Sequence, residues 1–233
     1  MTLKGRRPTW LTFDCYGTLI QWDEGLIAAM DRILGRKGGS IDRQAFIATY
    51  DRFEHALEEE RPHRTFKAVS AAALQYAMGE FDLAFDPADA EILTSSIGRM
   101  PPFPEVVTTL GRFKAAGFKL AIVSNTDDAI IAGNVAQLGG HIDRVITAEQ
   151  AGAYKPSAQI FLHAWDELDI GMDDLVHICA SPHLDLAAAR ELGFRCVWVD
   201  RGTGRKPLPD YQPDGTVPSL DHVPGLFADA GWM

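Results

Sequence analysis

The chain has 233 residues, 46% of them hydrophobic, and a net charge of −10 at neutral pH. That length holds one large domain or a domain carrying an insertion, with enough apolar residues for a substantial core. The acidic balance repels phosphate backbones and excludes nucleic acid as an expected partner, though not a small anionic substrate held at a locally positive site.

In chain order, the start MTLKGRRPTW is basic but lacks a signal-peptide apolar stretch, and no later run approaches membrane-spanning length. The expectation is a cytoplasmic protein with no membrane partner. Residues 9–13 (TWLTF) read as a first buried strand. From Ile20 to about Gly98 the pattern is helical, with helices expected over Ile41–Glu60 (capped by Ser40 or Asp42), Thr65–Met78 and Pro87–Ile97, the last with proline in its first turn. MPPFP at 100–104 reads as a return hinge. Continuous apolar runs at 119–123 (KLAIV), 175–179 (LVHIC) and 195–199 (RCVWV) read as strands covered on both faces, and 143–147 (DRVIT) as a weaker one. The Gly- and Pro-rich stretch after Asp200 reads as a surface excursion before a closing helix near 223–230. Strands alternating with helices predict an α/β fold with a doubly wound parallel sheet, divided into a core of 1–20 and 99–233 and a helical cap of 21–98. The three cysteines, Cys15, Cys179 and Cys196, all lie in apolar runs and read as buried reduced thiols.

Polar groups follow the strand runs directly: Asp14 after the first, Ser124 and Asn125 after the second, Lys155 in AYKPS after the weak strand, Ser181 and Asp185 after LVHIC. Each alone has an ordinary explanation as a helix cap, a turn residue or a solvated lysine. In an open parallel sheet the carboxyl ends of the strands form the ligand crevice, so groups distant in sequence converge there.

The motifs DCYGTL, SNT, YKPS and SPHLD, in that order, resemble the haloacid dehalogenase superfamily over nearly the whole chain. The resemblance implies a Rossmann-like core with a mobile cap and Asp14 as a covalent nucleophile. Most members are phosphatases with D-x-D, where the second acid protonates a departing alkoxide, a contribution of about 10²–10⁴ in rate. A halide such as chloride leaves without a proton, and position 16 is tyrosine, so the chain looks like the L-2-haloacid dehalogenase (type II) branch. Phosphatases hold Mg²⁺ with several oxygens. Here motif four offers only Asp185, with Ala180, Ser181 and Pro182 before it, so neither metal nor cofactor is expected.

The reaction so implied converts (S)-2-haloacids to 2-hydroxy acids and halide through an aspartyl ester. Lys155 would orient Asp14 and keep it ionised. Asp185 would direct water onto the ester, assisted by Lys155 and Asn125. Ser124 and Asn125 would hold the substrate carboxylate, and Thr18 would supply hydroxyl and backbone donors. Tyr16, Ser181 and His183 would line the pocket. The family's halide site uses an arginine of the inserted helices; Arg52, Arg61 and Arg64 are the candidates, with Arg52 preferred because Phe46, Ile47 and Tyr50 precede it on one helix. SPHLD departs from the dehalogenase pattern, which has an asparagine near Pro182. A homodimer is one arrangement the resemblance leaves open. A Mg²⁺-dependent phosphatase of the same superfamily and a non-enzymatic binding module on the same fold are the competing readings.

Overall fold

The structure, a computed structural model, describes residues 3–38 and 41–233. Strand β1, Trp10–Phe13, is buried along its whole length, as its unbroken apolar run requires. Four helices separate it from the rest of the sheet: α1 (Trp22–Leu34), α2 (Arg43–Glu59), α3 (Phe66–Glu80) and α4 (Pro87–Ile97). Asp42 caps α2 by accepting from the Ala45 amide at 3.1 Å; the alternative cap, Ser40, lies outside the described residues. Thr65 caps α3, and Asp86 with Asp89 forms a reciprocal cap on α4 ahead of Pro87. The segments leading into and out of this insert run side by side, with Gln21 N donating to Pro101 O at 3.0 Å and Phe103 N to Leu19 O at 3.0 Å.

After α5 (Val106–Ala115) the chain alternates: β2 (Lys119–Ser124), α6 (Asp128–Val135), β3 (Arg144–Thr147), α7 (Ala148–Ala151), α8 (Ala158–Leu168) and β4 (Leu175–Cys179). A π-turn at Pro182–Leu186, α9 (Ala187–Leu192), β5 (Cys196–Val199), β6 (Gly215–Val217) and α10 (Val223–Asp229) complete it. All six strands are parallel in the order β3-β2-β1-β4-β5-β6, so the chain reverses its direction of travel across the sheet beside β1. β3 is an edge strand with Arg144 exposed, which explains its weak sequence signal.

One expectation is corrected. The stretch after Asp200 is not wholly a surface excursion, because Gly215–Val217 pairs with β5 as a sixth strand. Three residues containing Gly and Thr carry no apolar run, so only the Val197, Trp198 and Val199 edge they meet defines them. The three cysteines are buried and unbridged, as expected. Among the described residues no helix is long and apolar enough to cross a membrane.

Candidate active site

β1 carries Asp14 to the carboxyl edge of the sheet, and Asp14 N donates to Ile178 O at 3.0 Å. A tight turn follows. Cys15 O accepts from the amides of Thr18, Leu19 and Ile20, and Gly17 sits at φ +80°, a conformation that glycine alone adopts without strain. The turn folds Thr18 back beneath the carboxylate, where its hydroxyl donates to Asp14 Oδ2 at 2.6 Å and accepts from Ala180 N at 2.8 Å. Arg201 braces the turn from outside by donating to Thr18 O at 2.7 Å and to Glu105 Oε1 at 2.8 Å.

Lys155 is buried at the centre. Its ammonium donates to Asp14 Oδ1 at 2.9 Å and to Asp185 Oδ1 at 2.8 Å. Asp185 Oδ1 also lies 2.9 Å from His177 Nε2, and His177 Nδ1 lies 2.8 Å from Thr12 Oγ1. A neutral ring donating from Nε2 to the carboxylate accepts the Thr12 hydroxyl at Nδ1. Burial works to lower the Lys155 pKa, but the two carboxylates outweigh it and push it up. Burial likewise works to raise Asp185; Lys155 and His177 overcome it and hold that carboxyl below its ordinary range. Asp185 Oδ2 is enclosed and has no protein partner among the described residues.

The floor opens into a cavity of about 660 Å³ between the strand ends and the insert. Ser124, Asn125, Ser181 and His183 all line it. Ser124 Oγ is buried without a protein partner. Asn125 is more committed than expected: its Oδ1 accepts from Lys155 N at 2.7 Å, and its Nδ2 donates to Lys155 O and to Glu58 Oε2, both at 3.2 Å. It therefore positions the lysine loop. Tyr16 lines the cavity, but its hydroxyl turns away from Asp14 and donates to Asn134 Oδ1 at 3.0 Å.

The structure does not bring Arg52 to the site. Its guanidinium is on the outer face of α2, paired with Glu80 at 2.8 Å and stacked over Phe53. Arg61 caps the end of α2 on its carbonyls, Arg64 lies 3.8 Å from Glu60, and neither lines the cavity. The arginines that do are Arg43, paired with Asp31, and Arg205, paired with Asp23 at 2.9 Å. Sequence reading also missed Asp51, Glu54, His55 and Glu58 of α2, which line the cavity. The signal was present: with Ile47 they fall at spacings of three and four, one face of a helix. Burial raises Glu54 to about 8; the Tyr50 hydroxyl pulls it down, and the charge of Asp51 adds a smaller push upward. Burial and then Glu54 raise Glu58 well above the carboxylate range.

A divalent cation does not fit this donor set. Lys155 occupies the position between Asp14 and Asp185, and positions 16 and 180–182 offer no carboxylate. His177, Cys179 and Asp185 lie close enough together to share an ion, but Asp185 Oδ1 is already taken by Lys155 and His177.

The haloacid dehalogenase-like hydrolase family matches residues 9–193. The chain belongs to that family. The matched span of this haloacid dehalogenase-like hydrolase begins one residue before β1 and ends one residue after α9, so it contains Asp14, Ser124, Lys155 and Asp185. The haloacetate dehalogenase H-2 of Moraxella sp. (strain B) is 27% identical over 222 residues, which cover 94% of this chain and 97% of that protein. The (S)-2-haloacid dehalogenase 4A of Burkholderia cepacia is 25% identical over 205 residues, 86% of each chain. Among solved structures, the L-2-haloacid dehalogenase of Xanthobacter autotrophicus with chloropropionic acid covalently bound superposes with a TM-score of 0.80 at 20% identity, covering 95% of this chain and 98% of that one. This likeness establishes the shared fold.

Proposed function

We propose that the protein is a hydrolytic dehalogenase that converts small (S)-2-haloacids to 2-hydroxy acids through an ester on Asp14, with residues 21–98 acting as the cap over the site. The observation that carries this reading is the Lys155 ammonium held between Asp14 and Asp185 while the hydroxyl at position 16 faces away. Asp14 is then an ionised nucleophile with no acid beside it, which suits a leaving group that departs as an anion. Its carboxylate attacks C2, the carbon–halogen bond breaks on the opposite side, and an aspartyl ester forms. Water then adds to the ester carbonyl; Asp185, with its unengaged Oδ2, takes a proton from that water and returns it to the departing oxygen, so the 2-hydroxy acid leaves and Asp14 loses its remaining proton to solvent to regain its charge. Ser124 suits the substrate carboxylate, since it lines the cavity and its buried hydroxyl has no protein partner among the described residues. The names of the relatives from Moraxella and Burkholderia support the same substrate class.

A phosphatase would need a proton donor at position 16 and an oxygen cage for Mg²⁺, and the residues present supply neither. A pure binding module gives no reason to bury three charged groups at the base of a cavity, an arrangement that is costly outside a working site.

Released halide from chloroacetate and 2-chloropropionate, with chelator present throughout, tests this directly. Wild type releases halide, and Asp14→Asn loses about 10⁴-fold or more, the scale of removing a nucleophile. Intact-mass spectra of wild type trapped during turnover carry the acyl adduct. No halide from any short 2-haloacid, or full activity in Asp14→Asn, rejects the proposal.

A further inference from the structure

The cavity is larger than displacement at one small carbon needs. A volume of about 660 Å³ falls within the range that encloses drug-sized ligands, roughly 300–1,000 Å³, whereas a haloacetate is only a few atoms long. Part of the lining is apolar and runs outward from the nucleophile. Tyr16, two residues after Asp14, lines the cavity, and its ring centroid lies 5.2 Å from that of Trp22. One turn further along α1, Leu26 and Ile27 line the same cavity. Helix α2 adds Ile47 and Ala48, before its lining face turns to the carboxyls of Asp51, Glu54 and Glu58.

Two cross-contacts fix how these helices oppose each other. Arg43, at the start of α2, pairs with Asp31 near the end of α1. Asp51, further along α2, lies close enough to Asp23 at the start of α1 for that charge to help raise its carboxyl pKa. The helices are therefore antiparallel, and Ile27 and Ile47 stand midway between the two contacts, across from each other. The charges at both ends of this trough are neutralised, Asp31 by Arg43 and Asp23 by Arg205 at 2.9 Å. Ile27 is nevertheless 47% exposed, and of the large exposed hydrophobics among the described residues it alone lines the cavity. An apolar trough that starts at the nucleophile and stays open to water is suited to a ligand that covers it.

We propose that the trough between α1 and α2 holds the hydrocarbon chain at C2 of the substrate, so that the reaction extends to medium-chain (S)-2-haloacids and favours them over short ones. This inference rests on the dehalogenase reading and names the substrate class of the same site. The chemistry at Asp14 is unchanged. The chain leaves C2 past Tyr16 and lies against Trp22, Leu26 and Ile47, covering Ile27 at its far end. From Trp22 to Ile27 the α1 axis rises about 7.5 Å, so a chain of several methylenes reaches Ile27 and a single methyl does not. Each methylene taken out of water contributes about fourfold in binding. The chain is remote from the reacting bonds and is held equally in the ground and transition states, so its contribution appears in KM rather than in kcat.

The test measures bromide release from (S)-2-bromopropionate, (S)-2-bromohexanoate and (S)-2-bromooctanoate. Wild-type kcat/KM is expected to rise about fourfold for each methylene that the trough covers, chiefly through a lower KM. A flat or falling series overturns the proposal. Ala48→Trp fills the trough from an exposed position on α2, with thermal unfolding confirming that the variant is folded. Its preference for the bromooctanoate over the bromopropionate is expected to fall about tenfold, the worth of roughly two displaced methylenes; an unchanged preference overturns the proposal. A third measurement needs no variant. Unreactive octanoate is expected to compete with (S)-2-bromopropionate at concentrations about 10²-fold below those that acetate needs, and equal inhibition by the two overturns it. Bromide from the bromopropionate with no gain along the series refutes this inference while leaving the dehalogenase reading intact. Bromide from none of the three ends both.

Discussion

Lys155 has more depending on it than any other side chain in the site, because its ammonium bridges two buried carboxylates. Lys155→Met leaves Asp14 and Asp185 facing each other without a counter-charge. Breaking a buried ion pair from one side costs about 3–5 kcal/mol, so the urea midpoint of the variant drops sharply at pH 7. Asp185 is held below its ordinary range, so the lysine's stabilisation is present above the unfolded carboxyl pKa and is lost as pH falls through the lower folded value. The gap between variant and wild type therefore narrows in acid, and a gap that is flat with pH contradicts the assignment. Glu54 has the opposite sign. Its folded value of about 8 stands above its ordinary 4.5, so between those values the unfolded chain releases a proton that the folded chain keeps. Stability falls as pH rises through that window and levels off above it. Glu54→Gln removes this slope, so unfolding midpoints at pH 5 and pH 8 differ less in the variant than in wild type.

At the scale of elements, the insert is fastened to the sheet by polar contacts at the ends of its helices. Asp127, in the loop after β2, accepts from the Phe66 and Lys67 amides at 2.7 and 2.8 Å and so holds the first turn of α3. Asn134 of α6 donates to Ile97 O at the end of α4 and to Met100 O just beyond it, at 3.0 and 3.1 Å. Between these helices the backbones meet so closely that a Cβ on Gly133 would stand 2.3 Å from Gly98 O. Gly133→Ala must separate α4 from α6, and overpacking of that kind costs about 1–3 kcal/mol. A lowered thermal midpoint with weaker turnover is the expected result; an unchanged midpoint shows that the joint yields freely. Three of the four insert helices were legible because Asp42, Thr65 and Asp86 with Pro87 are start signals readable in isolation, whereas α1, which has no side-chain cap, was not delimited. Helix α2 shows where legibility stopped. Arg52 and Glu54 are two residues apart and point in nearly opposite directions, whereas Glu54 and Glu58, four apart, differ by about 40° about the axis. The periodicity identified an apolar stripe, but the charged residues at its margin were assigned by charge alone.

For the whole molecule, the parallel sheet turns distance in sequence into proximity. Asp14, Lys155 and Asp185 are separated by 141 and 30 positions yet share hydrogen bonds through one ammonium. The sequence by itself determined this floor, since each group directly follows a buried run or lies in the adjoining loop, and a doubly wound sheet gathers such ends on one edge. It also determined the helical insert and the tyrosine at position 16. The tertiary structure alone decided three matters. His177, read as one more residue of a buried strand, reaches across to Asp185 and Thr12 because β4 pairs beside β1. Asn125 positions the Lys155 loop rather than standing free, since its partners come from a distant turn and from α2. The face of α2 that lines the cavity bears carboxyls and not Arg52, because the facing of a helix is set by what its apolar stripe packs against. Local pattern fixes which residues share a face; only packing fixes where that face points.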